Sequence, residues 1–170
     1  MTTAAPPVAG LASLIGGLAA RLDHLGTGPL AELRRLRADA EDRWRTAAFY
    51  RLYVELIAPD HAGGDEHERR WAMILSGMTR LPHQPGRNAG STMAEYDLAE
   101  RRFVRLLDAD AEHLASELRG IVSFLAAKGT SANWTDLADL VLSVDSERRD
   151  GVRRRLASAF YRTPAKTKKG

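Results

Sequence analysis

The stretch that decides the fold is Leu98–Leu125, LAERRFVRLLDADAEHLASELRGIVSFL. Its apolar residues recur at the three- and four-residue spacing of a helix, which predicts two amphipathic helices meeting near residues 108–110. The predicted inward face of the first helix carries Leu98, Ala99, Phe103, Leu106 and Leu107. The second carries the stripe Leu114, Leu118, Ile121, Val122 and Leu125. We expect this pair to form the centre of a helical core that turns its arginines outward.

Helical periodicity continues on both sides of this central pair, and no alternating strand pattern occurs. Further helices are predicted over residues 11–25, 30–37, 44–57, 66–80 and 147–161, and one begins after Asn133. Ser91 or Thr92 is predicted to cap the helix that leads into the centre, with Glu95 as its capping-box partner, and Asn133 to cap its own helix with Asp136 in the same role. The predicted fold class is all-α, a compact helical bundle or two small helical lobes.

Proline, glycine and charge divide the chain. Residues 1–10, with two prolines and small side chains, predict a disordered lead-in, and residues 11–162 a helical domain. The longest irregular stretch, residues 81–92 (LPHQPGRNAGST), is the candidate boundary between two lobes. Residues 163–170 predict a basic tail.

Composition excludes several classes of protein. The chain has no cysteine, so thiol catalysis, disulfides and thiolate metal sites are excluded. No run of residues is long and apolar enough to span a bilayer, and residues 11–20 lack the basic flank of a signal peptide, so we expect a cytoplasmic protein without a membrane partner.

Positive charge is concentrated at the end of the chain. Although the net charge is +3, residues 148–170 hold nine Lys or Arg and one acid, which is a candidate footprint for a polyanion. Arginine accounts for 21 of the 25 cations. Arginine favours bidentate contacts with phosphate, but a GC-rich coding bias would produce the same composition.

No pattern in the sequence supports an active site. The only cluster that combines two histidines with several acids lies in residues 60–68, and Trp71 occupies the place where a helical zinc protease needs its second histidine. We interpret this cluster as a solvated acidic loop rather than a metal site. Glycine-rich phosphate loops and serine-nucleophile elbows are missing. The sequence therefore predicts a protein that is not an enzyme and that binds no metal, no cofactor and no small-molecule substrate.

What remains is a set of helix faces that carry arginine. The candidate nucleic-acid-binding residues are Arg34, Arg35, Arg101, Arg102, Arg105, Arg153, Arg154, Arg155 and Arg162. If these faces gather into one groove, they would hold phosphates by charge without reading bases, as proteins that bind single strands do. The same faces could be surface salt-bridge ladders, because acids such as Glu100 and Asp150 are close in sequence.

Aromatic residues have two interpretations. Phe49, Tyr50 and Tyr53 predict a packing hub, with a base-stacking platform as the alternative. Tyr161 follows Arg154 by seven residues, so the two share a helical stripe.

The order of several segments resembles a known family. The segments are LAELRRL (30–36), RRFVRLLDAD (101–110), LRGIVSFL (118–125), NWTDLADLVL (133–142) and VRRRLASAFY (152–161). Together they resemble the CasB family, the small subunit of the type I-E CRISPR surveillance complex Cascade.

The resemblance implies an all-helical, non-enzymatic subunit of an antiviral defence complex. It would be present in two copies, contact the subunits CasA and CasC, and hold the displaced single-stranded DNA of the crRNA-guided R-loop. Because strand exchange is nearly balanced in base-pair energy, a few contacts to the strand backbone would suffice to stabilise the R-loop. The rival interpretations are a helical protein–protein adaptor without a nucleic-acid role and a helical enzyme with an unrecognised site.

Overall fold

The structure, a computed structural model, describes residues 8–37, 44–61 and 63–164, and regular structure in these ranges is helical. The helices are α1 Val8–Asp23, α2 Thr27–Arg34, α3 Ala47–Leu52, α4 Ala58–His61, α5 Asp65–Arg80, α6 Ala89–Glu95, α7 Glu100–Asp108, α8 Leu114–Ala127, α9 Trp134–Leu142 and α10 Arg149–Arg162. A π-helical turn, Tyr53–Ile57, joins α3 to α4. The predicted all-α class is confirmed. Helix α1 begins earlier than expected, and the rest of the predicted lead-in and most of the predicted tail lie outside the described residues.

The chain divides into two compact units, Met1–Arg80 and Leu81–Gly170. The division falls where the irregular stretch begins that the sequence analysis named as a candidate lobe boundary. Unit 1 contains α1–α5 and unit 2 contains α6–α10. Each unit is described by itself below.

Unit 1 is built around buried aromatic rings. Helix α3 begins three residues later than predicted because Thr46 caps it, with its Oγ1 accepting a hydrogen bond from the Phe49 N–H at 3.2 Å. The ring of Phe49 stacks on Tyr53 at 5.5 Å between centroids and meets Tyr50 edge-on at 5.3 Å. Phe49 and Tyr53 are buried. The predicted packing hub is therefore confirmed.

The most extensive helix contact in unit 2 is between α6 and α10 and not within the pair α7 and α8 that the sequence analysis placed at the centre. The predicted stripes of that pair are buried, except for Ala99, which is exposed because it lies before the first turn of α7 as the N-cap residue. Phe103 of α7 stacks on Phe160 of α10 with 4.0 Å between ring centroids. Gly129 follows the end of α8 with a φ of 68°, a left-handed conformation that favours glycine after a helix.

The predicted cap of α6 is wrong. Helix α6 begins at Ala89, and its N-cap is Asn88, whose Oδ1 accepts a hydrogen bond from the Gly90 N–H at 2.8 Å. Ser91 and Thr92 therefore lie inside the helix. Glu95 forms an ion pair with Arg87 instead of reaching back to the cap. Asparagine is as good an N-cap as serine, and its earlier position lengthens the helix.

The predicted cap of α9 is correct, but its partner is not. Asn133 Oδ1 accepts a hydrogen bond from the Thr135 N–H at 3.0 Å. Asp136, predicted as the capping-box partner, instead accepts a hydrogen bond from the Ala89 N–H at 2.8 Å. This carboxylate thereby satisfies a second backbone donor in the first turn of α6 and connects α9 to α6.

Candidate nucleic-acid interface

The nine predicted arginines are divided between the two units. Arg34 and Arg35 follow each other at the end of α2 in unit 1, and both are exposed. The carbonyl oxygen of Arg34 accepts a hydrogen bond from Arg80 at 2.8 Å, and the guanidinium group of Arg34 has no partner within the described residues. The other seven arginines lie on α7 and α10 of unit 2.

On α7, two of the predicted arginines are bound to α8. Arg102 is half-buried, donates to the Gly120 carbonyl at 2.9 Å and lies 5.4 Å from the ring centre of Phe124. The Arg105 Nε lies 3.3 Å from the carboxylate of Glu117. These two side chains connect the central helices to each other.

On α10, two of the predicted arginines are bound to carboxylates. Arg153 forms ion pairs with Asp108 of α7 and with Asp150 one turn earlier, the latter at 3.7 Å. Arg155 donates to Asp139 of α9 at 2.8 Å. Both arginines thereby hold α10 against a neighbouring helix of the same unit.

Asp139 is the most deeply buried carboxylate among the described residues of unit 2, with 3% of its surface exposed. Besides Arg155 it binds Arg148 at 3.1 Å and accepts a hydrogen bond from the Ser143 hydroxyl at 3.3 Å. A buried charge needs such partners, since an isolated carboxylate in the protein interior is costly.

Five of the predicted arginines remain open. We use the term open arginines for those that are exposed and have no side-chain hydrogen bond or ion pair within the described part of the chain, namely Arg34, Arg35, Arg101, Arg154 and Arg162. The salt-bridge ladder, which was the alternative interpretation of the sequence, thus accounts for only some of the nine predicted arginines. It does not account for these five, which have no carboxylate partner within the described residues.

Two open arginines lie beside the same depression on α10. Its volume is about 400 Å³, and the residues that line it are Asn88, Arg154, Arg155, Ser158, Ala159 and Arg162. None of these residues carries a carboxylate. Because Arg155 is neutralised by the buried Asp139, the uncompensated charge at the rim comes from Arg154 and Arg162. The depression therefore has the electrostatic character that a phosphate group requires.

The surface around Arg105 has the opposite character. A depression of about 270 Å³ there is lined by Arg105 together with Asp108, Asp110 and Glu117. The carboxylate of Asp110 lies 2.7 Å from the ring of His113. This hydrogen bond raises the pKa of His113 and lowers the pKa of Asp110. The excess of carboxylates does not favour a phosphate at this position.

Helices α7 and α10 run antiparallel along a common seam. At one end the Tyr161 hydroxyl donates to Glu100 at 2.8 Å, and at the other end Arg153 pairs with Asp108. Eight residues separate the two contacts on both helices, so the pairing keeps its register over two turns. The hydrogen bond to Glu100 raises the pKa of Tyr161.

The candidates predicted from the sequence omit two exposed residues. Tyr161 has 58% of its surface exposed, and its place on the stripe of Arg154 was the signal that could have included it. Arg51 on α3 is exposed and has no partner within the described residues. It was not included among the candidates because it lies among three aromatic residues that were interpreted as a packing hub.

The described residues offer neither a metal centre nor a membrane span. Among them, no group of three or more His, Cys, Asp or Glu side chains could hold a metal ion. Within the same ranges, every helix is too short or too polar to cross a membrane.

The fold and the surface together define a class of protein. It is all-helical, it consists of two units, and it carries exposed arginines that have no partner within the described residues. A model of the family of CRISPR-associated protein Cse2 matches residues 29–161, which is most of the chain. The chain therefore belongs to the Cse2 family, which is the CasB family named in the sequence analysis, so that resemblance is confirmed.

The fold is also that of a protein of known structure. One chain in the crystal structure of E. coli Cascade bound to a PAM-containing dsDNA target with a 32-nt spacer matches with a TM-score of 0.63 and 20% sequence identity. The match covers 86% of this chain and 96% of that chain. A comparison with curated proteins finds no significant match.

Proposed function

We propose that this protein is a non-catalytic subunit of a type I-E Cascade complex that holds the displaced non-target DNA strand and thereby stabilises the R-loop. Membership of the Cse2 family and the likeness to a chain of Cascade bound to its DNA target support the assignment to the complex. The observation that carries the strand-binding role is the depression on α10, where Arg154 and Arg162 are open and no lining residue is acidic.

Binding to phosphate suits this role physically. The guide RNA already selects the sequence of the target, so the subunit has to accept a strand of any sequence, and the sugar-phosphate backbone carries no sequence information. The RNA–DNA duplex formed is about as stable as the DNA duplex it replaces, so even weak additional binding shifts the balance. Each arginine that binds a phosphate also releases counterions, which makes the binding depend on salt.

The partners follow from the same proposal. The subunit assembles with CasA, CasC and a second copy of itself in the cytoplasm, and its nucleic-acid partners are the crRNA-guided R-loop and the displaced single-stranded DNA. Whether the nine arginines of the two units line one continuous track stays a prediction. Among them, the five open arginines are the ones we assign to the strand.

The experiment compares reconstituted complexes that contain the wild-type subunit or the variant R101A/R154A/R162A. R-loop formation is followed by permanganate footprinting of unpaired thymines over a range of salt concentrations. The variant is expected to bind more weakly, and the slope of log affinity against log salt should fall in magnitude by about 0.7 for each phosphate of the single strand that is no longer neutralised. Three such phosphates for each of the two copies of the subunit predict a total change of about 4.

A matched control removes the same charge from arginines that are already paired. The variant R21A/R45A/R87A replaces arginines that bind Glu55, Asp65 and Glu95. It should leave the salt slope close to that of the wild type. If both variants change the salt slope equally, the change reflects the total charge of the subunit, and the assignment of strand binding to the open arginines is wrong. If neither changes it, the adaptor role is favoured, in keeping with the three predicted arginines that are already paired with carboxylates within the protein, Arg105, Arg153 and Arg155.

A further inference from the structure

We infer that the outward face of α10 binds a nucleobase of the displaced strand on the ring of Tyr161 while Arg154 and Arg162 hold the neighbouring phosphates. This inference rests on the proposed function and adds base stacking to it. It makes the face a combined site for base and backbone, a chemistry that tolerates any sequence because every base has a π-face.

The residues share one face of the helix. At 100° per residue, Tyr161 and Ser158 lie about 20° and 40° to either side of Arg154, and Arg162 lies on the flank next to Ser158. With a rise of 1.5 Å per residue, Tyr161 and Arg154 are about 10 Å apart along the axis. The buried residues Val152, Leu156 and Phe160 occupy the opposite face.

The ring of Tyr161 is both anchored and exposed. It meets Phe160 edge-to-face with 5.2 Å between centroids and Phe103 with 6.2 Å, and those two rings are stacked on each other. The hydrogen bond to Glu100 fixes its hydroxyl end. Yet 58% of the residue remains exposed, and the other exposed large apolar side chains within the described residues are valines. A ring held in this way loses little conformational freedom when a base stacks on it.

The surroundings of Tyr161 favour a base over a phosphate. Its hydroxyl hydrogen is already donated to Glu100, and that carboxylate would repel a phosphate oxygen. The chemistry left to the residue is therefore the face of its ring. On the other flank of α10, the depression beside Arg154 and Arg162 has no acidic lining residue. The helix thus separates a position for a base from a position for phosphates.

The test uses the assembled complex and a target whose non-target strand is already unpaired across the guide-matched region, so that duplex reannealing does not compete. This strand is either a thymidine tract or a tract of abasic residues with the same phosphates. The wild-type complex should bind the thymidine target more tightly. Tyr161→Ala should weaken binding of the thymidine target by roughly 5- to 150-fold and leave the abasic target unchanged.

Two further variants separate the contributions. Tyr161→Phe keeps the ring and should retain the preference for thymidine. The variant R154A/R162A should weaken binding of both targets by the same factor, because it removes phosphate binding alone. In addition, 5-iodouracil placed in the displaced strand should photo-crosslink to the peptide that contains Tyr161, as identified by mass spectrometry.

Failure of this inference differs from failure of the proposed function. If Tyr161→Ala leaves the preference for thymidine intact while R154A/R162A weakens both targets, stacking is overturned and the strand-binding role stands. If R154A/R162A has no effect, the phosphate positions on α10 are overturned. If Tyr161→Ala reduces incorporation of the subunit into the complex, as measured by native mass spectrometry, without changing affinity for either target, the ring binds protein and the inference is wrong.

Discussion

Gly90→Ala is predicted to destabilise unit 2, because helices α6 and α10 approach each other closely at this glycine. A Cβ atom at position 90 would lie 3.1 Å from the carbonyl carbon of Leu156 and from Oδ1 of Asn88, and closer still to the carbonyl oxygen of Leu156. The carbonyl belongs to the backbone of α10 and the amide oxygen to the cap of α6. The carbonyl of Leu156 cannot rotate away because it is part of the backbone of α10, so one helix has to move.

The magnitude follows from two opposing effects. Overpacking of a well-packed site costs typically about 1–3 kcal/mol. Replacing glycine by alanine in a helix interior stabilises it by about 1 kcal/mol at most, and Gly90 lies in the first turn, where the gain is smaller. A displaced first turn would also weaken the cap from Asn88, which is worth about 1 kcal/mol. We therefore expect the free energy of unfolding to fall by about 1–3 kcal/mol.

The assay is urea-induced unfolding followed by circular dichroism at 222 nm, combined with hydrogen exchange measured on peptides from α6 and α10. Faster exchange should be confined to these helices and to α9, whose Asp136 binds the first turn of α6. Gly16→Ala is the matched control, since a Cβ atom there meets nothing within 4 Å and should stabilise α1 by up to about 1 kcal/mol. If Gly90→Ala unfolds at the same or a higher urea concentration than the wild type, the close packing of α6 on α10 is refuted.

Three further predictions concern stability. Asp139→Asn should lower the free energy of unfolding by about 1.5–3 kcal/mol in urea titrations, because it removes the charge that two partly exposed arginines bind; a decrease below about 1 kcal/mol would contradict this. Burial lowers the pKa of His83, whose Nδ1 accepts a hydrogen bond from the Trp134 N–H at 3.0 Å. As the pH decreases, His83 is therefore protonated in the unfolded chain before it is protonated in the folded protein. The stability of the wild type relative to His83→Gln should fall below a pH of about 6.5, and a stability difference that does not depend on pH would show that His83 is not buried in its neutral form. Asp97 has a φ of 61°, so Asp97→Gly should be neutral or raise the melting temperature, whereas a clear decrease would show that the aspartate side chain stabilises the turn.

The helices could be predicted because the signal for them is local. The stripe that begins at Leu114 repeats every three or four residues, and burying it requires a helix whatever the rest of the chain does. Gly129 could be predicted as a stop for the same reason, since the left-handed conformation after a helix favours glycine in any fold.

The caps show where local information ends. Ser91 and Thr92 are good capping residues in isolation, but Asn88 comes first and α9 supplies a second acceptor through Asp136. Forty-seven positions separate Asp136 from Ala89. No spacing rule within a helix connects residues so far apart. Only the packing of α9 beside α6 determines which acceptor reaches the helix end.

The candidate arginines show the same limit. The sequence indicates which arginines face away from the core, and it suggests acids one turn away as partners. The acids that bind Arg105 and Arg155 come from other helices, 12 and 16 residues away. Arg153 does pair with Asp150 one turn earlier, but it also pairs with Asp108 of another helix, 45 residues away. Whether an outward arginine is neutralised therefore depends on the packing of α7, α9 and α10. Periodicity alone cannot distinguish an open arginine from a bound one.

The bound and open arginines of α10 serve complementary purposes. Arg153 binds α7 on one side and Arg155 binds α9 on the other, so the rotation of α10 about its axis is fixed from both flanks. With that rotation fixed, Arg154 between them has to point into solvent. Arg153→Ala or Arg155→Ala should therefore lower stability together with strand binding, whereas Arg154→Ala should lower strand binding alone. Measuring both quantities for each single variant distinguishes an arginine that orients the helix from one that binds the strand. An equal decrease of stability in all three variants would refute this division.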